Sequence, residues 1–157
     1  MAVGFSEETL KKFDRIVSRY PKREAAMLPV LYLAQEEFGY LTTEAIEYVA
    51  KLMGVAPARV QGVVTFYTMF YTKPIGRHHI QICRTLPCAL RGAEKISAFL
   101  KKRLGIQTGE TTADGKFTLS EVECLASCGT APVVQINDAY YESLSEEKVE
   151  EILRSLK

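Results

Sequence analysis

The sequence predicts an α+β protein in two parts, a helical part over residues 1–72 and a mixed helix-and-sheet part over residues 73–157. Three observations support this division. Before residue 70, apolar side chains recur every three or four positions, as in amphipathic helices. Beyond it, short alternating runs typical of strands are interleaved with helical stretches. The turn-rich segment 73–76, Lys-Pro-Ile-Gly, separates the two patterns.

Four short helices are predicted in the first part, and each has a start or stop signal. Ser6 is a candidate N-cap for the first helix, Gly39 and Gly54 end the second and third, and Pro57 fits the first turn of the fourth. Brief connections between such helices are typical of a small bundle, so we expect a four-helix bundle. The apolar stripes that would form its core are Leu10, Phe13, Ile16, Val17 and Tyr20; Met27, Leu28, Val30, Leu31, Ala34 and Phe38; Ala45, Ile46, Val49, Ala50 and Met53; and Val60, Val63 and Val64.

The second part is predicted to have the element order β-α-β-β-β-α. The predicted strands are residues 79–83, 117–122, 133–136 and 139–141, with helices over residues 89–104 and from residue 145 onward. The connection between the first two strands is long enough for a crossover, so these strands are expected to be parallel. Asn137 and Asp138 form the turn of a hairpin between the last two strands.

Composition and charge exclude several classes of protein. The formal net charge is +1, whereas nucleic-acid-binding domains usually carry a basic excess. The longest uncharged runs, residues 60–72 and 124–137, are shorter than the roughly 20 residues that span a bilayer. The N-terminus lacks the apolar core of a signal peptide. We therefore expect a soluble cytoplasmic protein, in which cysteines are more often metal ligands or catalytic thiols than disulfide partners.

The four cysteines form two local pairs with different spacings. Cys83 and Cys88 have four residues between them, and Cys124 and Cys128 have three. Each pair begins at the C-terminal end of a predicted strand, and parallel strands present those ends at one edge of a sheet. We therefore expect the four thiols to meet at this edge.

The residues alone leave more than one chemistry open for this site. A disulfide framework is disfavoured without an export signal, and a thioredoxin-type redox pair requires two intervening residues. Zinc held by four cysteines remains an alternative, because its paired ligands are often two to four residues apart. A [2Fe–2S] cluster takes two thiolates on each iron, and its wider core suits spacings of three and four residues better. The chain has no glycine-rich nucleotide motif and no nucleophile–base constellation, so no catalytic residue is assigned.

Three stretches together resemble one known family. They are TFYTMF…KPIGRHHIQICRTLPC, GETTADGKFTLSEVECLASCGTAPVVQIN and the helical leader. Over residues 5–156 the chain resembles the small [2Fe–2S] subunit of the NADH dehydrogenase module of respiratory complex I. The same family architecture occurs in NAD-linked hydrogenases and formate dehydrogenases. A free ferredoxin-like carrier and a zinc-stapled interaction module are the remaining alternatives.

The resemblance implies a thioredoxin-like [2Fe–2S] ferredoxin domain over residues 73–157. It implies that Cys83, Cys88, Cys124 and Cys128 hold one cluster, each local pair on one iron. It further implies an electron-transfer subunit of an NADH:quinone oxidoreductase, with NADH and FMN bound by a partner flavoprotein subunit. Other peripheral-arm subunits of complex I are further expected partners, and the protein would lie in the cytoplasm, peripheral to the inner membrane without inserting into it. In thioredoxin-like folds the proline before the third strand is often cis, and Ala131-Pro132 stands there.

Residues near the predicted site have more ordinary interpretations. Arg84 and Arg91 are candidate charges for raising the reduction potential of a cluster, but they also fit simple surface arginines. His78 and His79 are interpreted as structural or surface residues, because four cysteines complete the ligand set. The helical part is expected to supply much of the surface that docks the flavoprotein, with residues 60–71 either in its core or at that interface.

Overall fold

A computed structural model describes residues 3–156 of the chain. The chain divides into two compact units between Pro74 and Ile75. Over residues 3–74 the first unit has helices and no strand, and the second unit contains a four-stranded sheet with helices. The mixed helix-and-sheet class expected from the sequence is therefore confirmed.

Four α-helices form the first unit, at the positions predicted. They are α1 (Glu7–Val17), α2 (Met27–Phe38), α3 (Thr43–Met53) and α4 (Pro57–Phe66), with a short 3₁₀ turn at Arg23–Ala26. Local signals explain their limits. The Ser6 hydroxyl accepts a hydrogen bond from the Thr9 N–H (3.3 Å), which satisfies one of the free donors at the start of α1. Gly39 and Gly54 end α2 and α3 with φ of 81° and 69°, in the positive-φ range that glycine adopts without strain.

The apolar stripes of the first unit meet around α2, which contacts each of the other three helices. Val30, Leu31 and Ala34 on α2 are fully buried there. The chain after α4 is also tied to α2. The Gln35 side chain donates to the Met69 carbonyl (3.0 Å) and accepts from the Tyr71 N–H (2.7 Å).

The sheet of the second unit has the strand order β2-β1-β3-β4. Its strands are β1 (His78–Cys83), β2 (Phe117–Val122), β3 (Val134–Ile136) and β4 (Ala139–Tyr141). β1 and β2 are parallel, with His78 opposite Phe117 and Cys83 opposite Val122. β3 is antiparallel to β1, and β4 closes the predicted hairpin with β3. The parallel pair therefore ends at a single edge, and the chain segments that contain the cysteines begin there.

One prediction about the second unit is wrong in its limits. The single helix expected over residues 89–104 is two helices, α5 (Leu86–Leu90) and α6 (Ala93–Leu104), and the final helix is α7 (Glu146–Ser155). The break lies at Gly92, whose φ of 96° cannot continue a right-handed helix. α5 begins earlier than expected, with Pro87 in its first turn, so Cys88 lies inside a helix.

The core of the second unit packs α6 and α7 against the sheet. Ile80, Ile82, Leu100, Leu119 and Val133 are at most 1% exposed in this core. The peptide bond between Ala131 and Pro132 is cis, which the sequence alone left open. Over residues 3–156, no helix is long and apolar enough to cross a membrane.

Candidate metal centre

The first cysteine pair lies in the well-packed part of the second unit. Cys83 is the last residue of β1, and its N–H donates to the Val133 carbonyl (3.2 Å). Cys88 follows in α5, after the short connection that begins at Arg84. Each cysteine is 2% exposed, so both sulfur atoms lie against the core.

Hydrogen bonding favours the ionised form of Cys83. Burial opposes its ionisation, but hydrogen bonds from the Thr85 hydroxyl, the Leu125 and Thr85 N–H groups and the Cys88 thiol outweigh that cost. The pKa of Cys83 is therefore lowered, and the Cys83 Sγ to Thr85 Oγ1 distance is 3.2 Å. Donors to a sulfur stabilise its thiolate, which is the form that binds metal.

The pKa of Cys88, in contrast, is raised. Burial raises its pKa, and so do the hydrogen bond to Cys83 and the charges of Cys83 and Cys128, while the Val133 N–H partly offsets them. Neighbouring thiolates raise each other's pKa in this way, because like charges disfavour ionisation.

The second pair lies in the segment after β2 and is exposed. The sulfur atoms of Cys124 and Cys128 are 4.0 Å apart. The Ala126 N–H donates to the Cys124 sulfur (3.3 Å), with Ala126 in a positive-φ conformation of 61°. The hydrogen bond with Cys124 and the Cys124 charge raise the pKa of Cys128.

The donor set fits a two-iron cluster. Two thiolates bonded at about 2.3 Å to one tetrahedral metal are about 3.8 Å apart, close to the 4.0 Å between Cys124 and Cys128. All four cysteines are free. Among the described residues, no three or more His, Cys, Asp or Glu side chains form a single metal-ion site. A [2Fe–2S] cluster takes two thiolates on each of two irons, and the separation of Cys124 from Cys128 fits one such pair.

A carboxylate that the sequence analysis did not identify is bonded to the second cysteine segment. Glu142 accepts hydrogen bonds from the hydroxyls of Ser127 and Thr130. The hydrogen bond from Ser127, and then that from Thr130, lowers the pKa of Glu142. No local motif marks Glu142, because more than ten residues and a hairpin separate it from its partners.

The charged and imidazole side chains near the site have ordinary partners. The Arg84 Nε donates to Glu123 (3.0 Å), so the Arg84 charge is paired at an exposed position. The buried side chain of His79 lies near the start of β1, at the other end of the strand from Cys83. Its Nε2 is 2.8 Å from the Ser120 hydroxyl, in agreement with a structural role.

Comparison with known proteins identifies the family. The thioredoxin-like [2Fe–2S] ferredoxin family matches residues 13–157, which include both cysteine pairs and the whole second unit. The chain belongs to this family.

Relatives and solved structures agree with the family assignment. The chain is 49% identical to the NADH-quinone oxidoreductase subunit designated E of Rickettsia prowazekii, over 96% of its own length and 86% of the relative's. It is 43% identical to the corresponding subunit, designated E 2, of Rhizobium meliloti, over 94% and 88% of the two chains. A chain of an NAD⁺-reducing [NiFe]-hydrogenase shares the fold, with a TM-score of 0.73 at 20% identity. That match covers 83% of this chain and 22% of the hydrogenase chain.

Proposed function

We propose that this protein is an electron-transfer subunit of an NADH:quinone oxidoreductase and that Cys83, Cys88, Cys124 and Cys128 hold one [2Fe–2S] cluster. The observation that carries the proposal is the geometry of the cysteines. The parallel strands β1 and β2 end together. Cys83 is the last residue of β1, Cys88 follows in α5, and Cys124 and Cys128 follow β2 with their sulfur atoms 4.0 Å apart. The NADH-quinone oxidoreductase relatives, at 43–49% identity, support this activity over that of a hydrogenase.

The chain's own residues would prepare the site for such a cluster. When bound, a [2Fe–2S] cluster accepts and releases a single electron. The Thr85 hydroxyl lies 3.2 Å from the Cys83 sulfur, and hydrogen bonds from the Leu125 and Val133 N–H groups act to lower the pKa of Cys83 and of Cys88, respectively. Donors of this kind stabilise the negative charge on the ligands and are one of the factors that set the potential of such centres.

The partner proposed for electron exchange is the subunit that binds NADH and FMN. This chain has no nucleotide fingerprint, so hydride chemistry would take place on that flavoprotein. Leu86 and Leu90 on α5 are 70% and 77% exposed, and they flank Cys88 in the sequence. Large exposed apolar side chains next to a redox site are suited to a protein contact. The assembly would lie in the cytoplasm, peripheral to the inner membrane, with the other peripheral-arm subunits.

We also infer a division of labour between residues 1–72, as a four-helix bundle that docks the flavoprotein, and residues 73–157, as the ferredoxin domain. Support comes from an aromatic patch at the end of α4. Phe66 is 77% exposed, and its ring lies 4.9 Å from that of Tyr67. Tyr32 is also exposed, at 43%. Aromatic side chains are enriched at the centres of protein interfaces.

The cluster assignment is tested by anaerobic purification of the full chain. We expect about two irons and two sulfides per chain, and a spin-half signal after reduction with dithionite. Replacement of Cys124 or Cys128 by alanine should abolish this cluster while the helical signal of α1–α4 is retained. A colourless protein with one zinc per chain would contradict the proposal, as would an unchanged cluster in both variants.

The docking assignment is tested by binding to the flavoprotein. Phe66→Glu should weaken binding at least about tenfold if the patch is central to the interface. Tyr140→Glu, at another exposed aromatic on β4, is the matched control and should bind like the unaltered chain. Equal affinity for the Phe66→Glu variant and the unaltered chain would show that the α4 patch does not dock this partner.

A further inference from the structure

Glu142 connects two segments of the second unit that are distant in the sequence. It follows β4, in the connection to α7. Its Oε1 accepts a hydrogen bond from Thr130 Oγ1 (2.7 Å) and a second one from the Ser127 hydroxyl. Ser127 comes directly before Cys128, and Thr130 ends the turn Cys128–Thr130. The carboxylate therefore contacts the chain on both sides of a predicted ligand.

The segment around Glu142 is itself held in place. The Ser143 N–H donates to the Thr130 carbonyl (2.6 Å), which adds a backbone bond beside the two side-chain bonds. The Lys148 ammonium group donates to the Glu142 carbonyl (2.7 Å) from the first turn of α7. Glu142 thus has its main chain bonded to α7 while its side chain reaches the cysteine segment.

The two cysteine pairs differ in what supports them. Cys83 and Cys88 lie in a strand and a helix and are packed against the core. Cys124 and Cys128 are exposed, and the segment between β2 and Cys128 has no regular secondary structure. Leu125 packs against the core between these two cysteines, but the exposed residues on either side of it depend on hydrogen bonds to keep the two thiols at a set separation. The bonds to Glu142 meet this need.

We propose that Glu142 is a positioning residue for the exposed half of the metal centre. By accepting from Ser127 and Thr130, it keeps Cys128 opposite Cys124 at the spacing that one metal requires. This inference rests on the proposed function, in which the four cysteines hold a [2Fe–2S] cluster. The negative charge of Glu142 also lies beside the ligand segment, where it would disfavour the uptake of a further electron.

The test uses the full chain with its cluster and measures two quantities. The first is the rate at which an iron chelator removes the metal under anaerobic conditions. The second is the reduction potential. We compare Glu142→Ala and Glu142→Gln with Glu151→Gln, which removes one negative charge at an exposed position of α7.

Loss of an indirect support of this kind typically weakens metal binding by about 10-fold or more, so iron release from Glu142→Ala should be about 10-fold faster. Glu142→Gln keeps an acceptor oxygen, so its release rate should lie between those of the alanine variant and the unaltered chain. Both variants should show a raised potential, which loss of a merely structural contact would not produce. Glu151→Gln should match the unaltered chain in both measurements.

The route of the effect is tested by removing the donors. In a Ser127→Ala/Thr130→Val background, Glu142→Ala should accelerate iron release less than about twofold further, because its partners are already absent. A full effect of Glu142→Ala in that background would overturn the proposal, as would release from both Glu142 variants at the unaltered rate. If the alanine variant does not fold, the near-isosteric glutamine variant and the double donor variant decide the question. A lack of cluster in the unaltered chain would instead refute the proposed function, so the two failures are distinguishable.

Discussion

Close backbone packing at Gly76 aligns β1 and β2, the two strands that bring the cysteine pairs to one edge of the sheet. A Cβ added to Gly76 would lie 2.8 Å from the carbonyl carbon and 2.9 Å from the nitrogen of Phe117. Both atoms belong to the backbone at the start of β2, so no side chain can rotate away. The Gly76 N–H also donates to the Thr118 hydroxyl (2.6 Å), which holds the two segments together. Gly76→Ala must therefore push the start of β1 away from β2.

The size of this effect follows from the contact distances. An ordinary van der Waals contact would require the backbone to move by roughly 0.5–1 Å, and overpacking of this kind typically costs about 1–3 kcal/mol. Gly62→Ala is the matched control, because a Cβ at Gly62 meets nothing within 4 Å and Gly62 lies in α4. Alanine there should stabilise the first unit by up to about 1 kcal/mol, through helix propensity.

Hydrogen exchange measured by mass spectrometry separates the two units, which a single melting curve would not. Peptides from β1 and β2 should lose protection in Gly76→Ala. Amides that exchange only when the whole unit opens should exchange about 5- to 150-fold faster, which corresponds to a loss of about 1–3 kcal/mol. Peptides from α1–α4 should not change in this variant. Unchanged protection in β1 and β2 would refute the view that close backbone approach at Gly76 aligns the strands.

Three further predictions concern pH, packing and metal removal. Burial lowers the pKa of His79 from 6.5, so the unfolded chain binds a proton that the folded chain disfavours. The free energy of unfolding should therefore fall as pH decreases from 7 to 5.5, by at most about 1.4 kcal/mol per pH unit. In denaturant titrations, His79→Gln should flatten this dependence. Leu119→Ala, at a fully buried position of β2, should lower the free energy of unfolding by about 2–5 kcal/mol. Leu104→Ala, at a partly buried position, should lower it by less in the same denaturant titrations. Removal of the metal with a chelator should loosen β1 and β2 while circular dichroism retains most of the α1–α4 signal; equal loss of protection in both units would contradict this.

The elements that the sequence predicted well are those with local causes. The ends of α1, α2 and α3 depend on Ser6, Gly39 and Gly54, each of which acts within a few residues of its own position. The pairing of β1 with β2 is not local. It could be predicted because the connection between them is long enough for a crossover, and crossovers between parallel strands are nearly always right-handed. For the same reason the meeting of the two cysteine segments could be anticipated.

What the sequence did not predict depends on tertiary contacts or on a single backbone angle. Gly92 was visible in the sequence, but a glycine within an apolar helical pattern is also tolerated, and only its φ of 96° divides α5 from α6. The role of Glu142 depends on the path of the β3–β4 hairpin. That path brings Glu142 back to Ser127 and Thr130, and no spacing rule links these three residues.

The two cysteine pairs are separated by roughly 35 residues of chain, which include α6 and β2. A group bonded to both pairs would therefore act as a covalent staple across a long loop as well as an electron carrier. For a loop of that length the chain-entropy estimate for a cross-link is about 4 kcal/mol, a large share of the stability of a small domain. Oxidative loss of the group would then remove the electron carrier and also destabilise the second unit, which would expose it to proteases. Damaged subunits would therefore be degraded selectively.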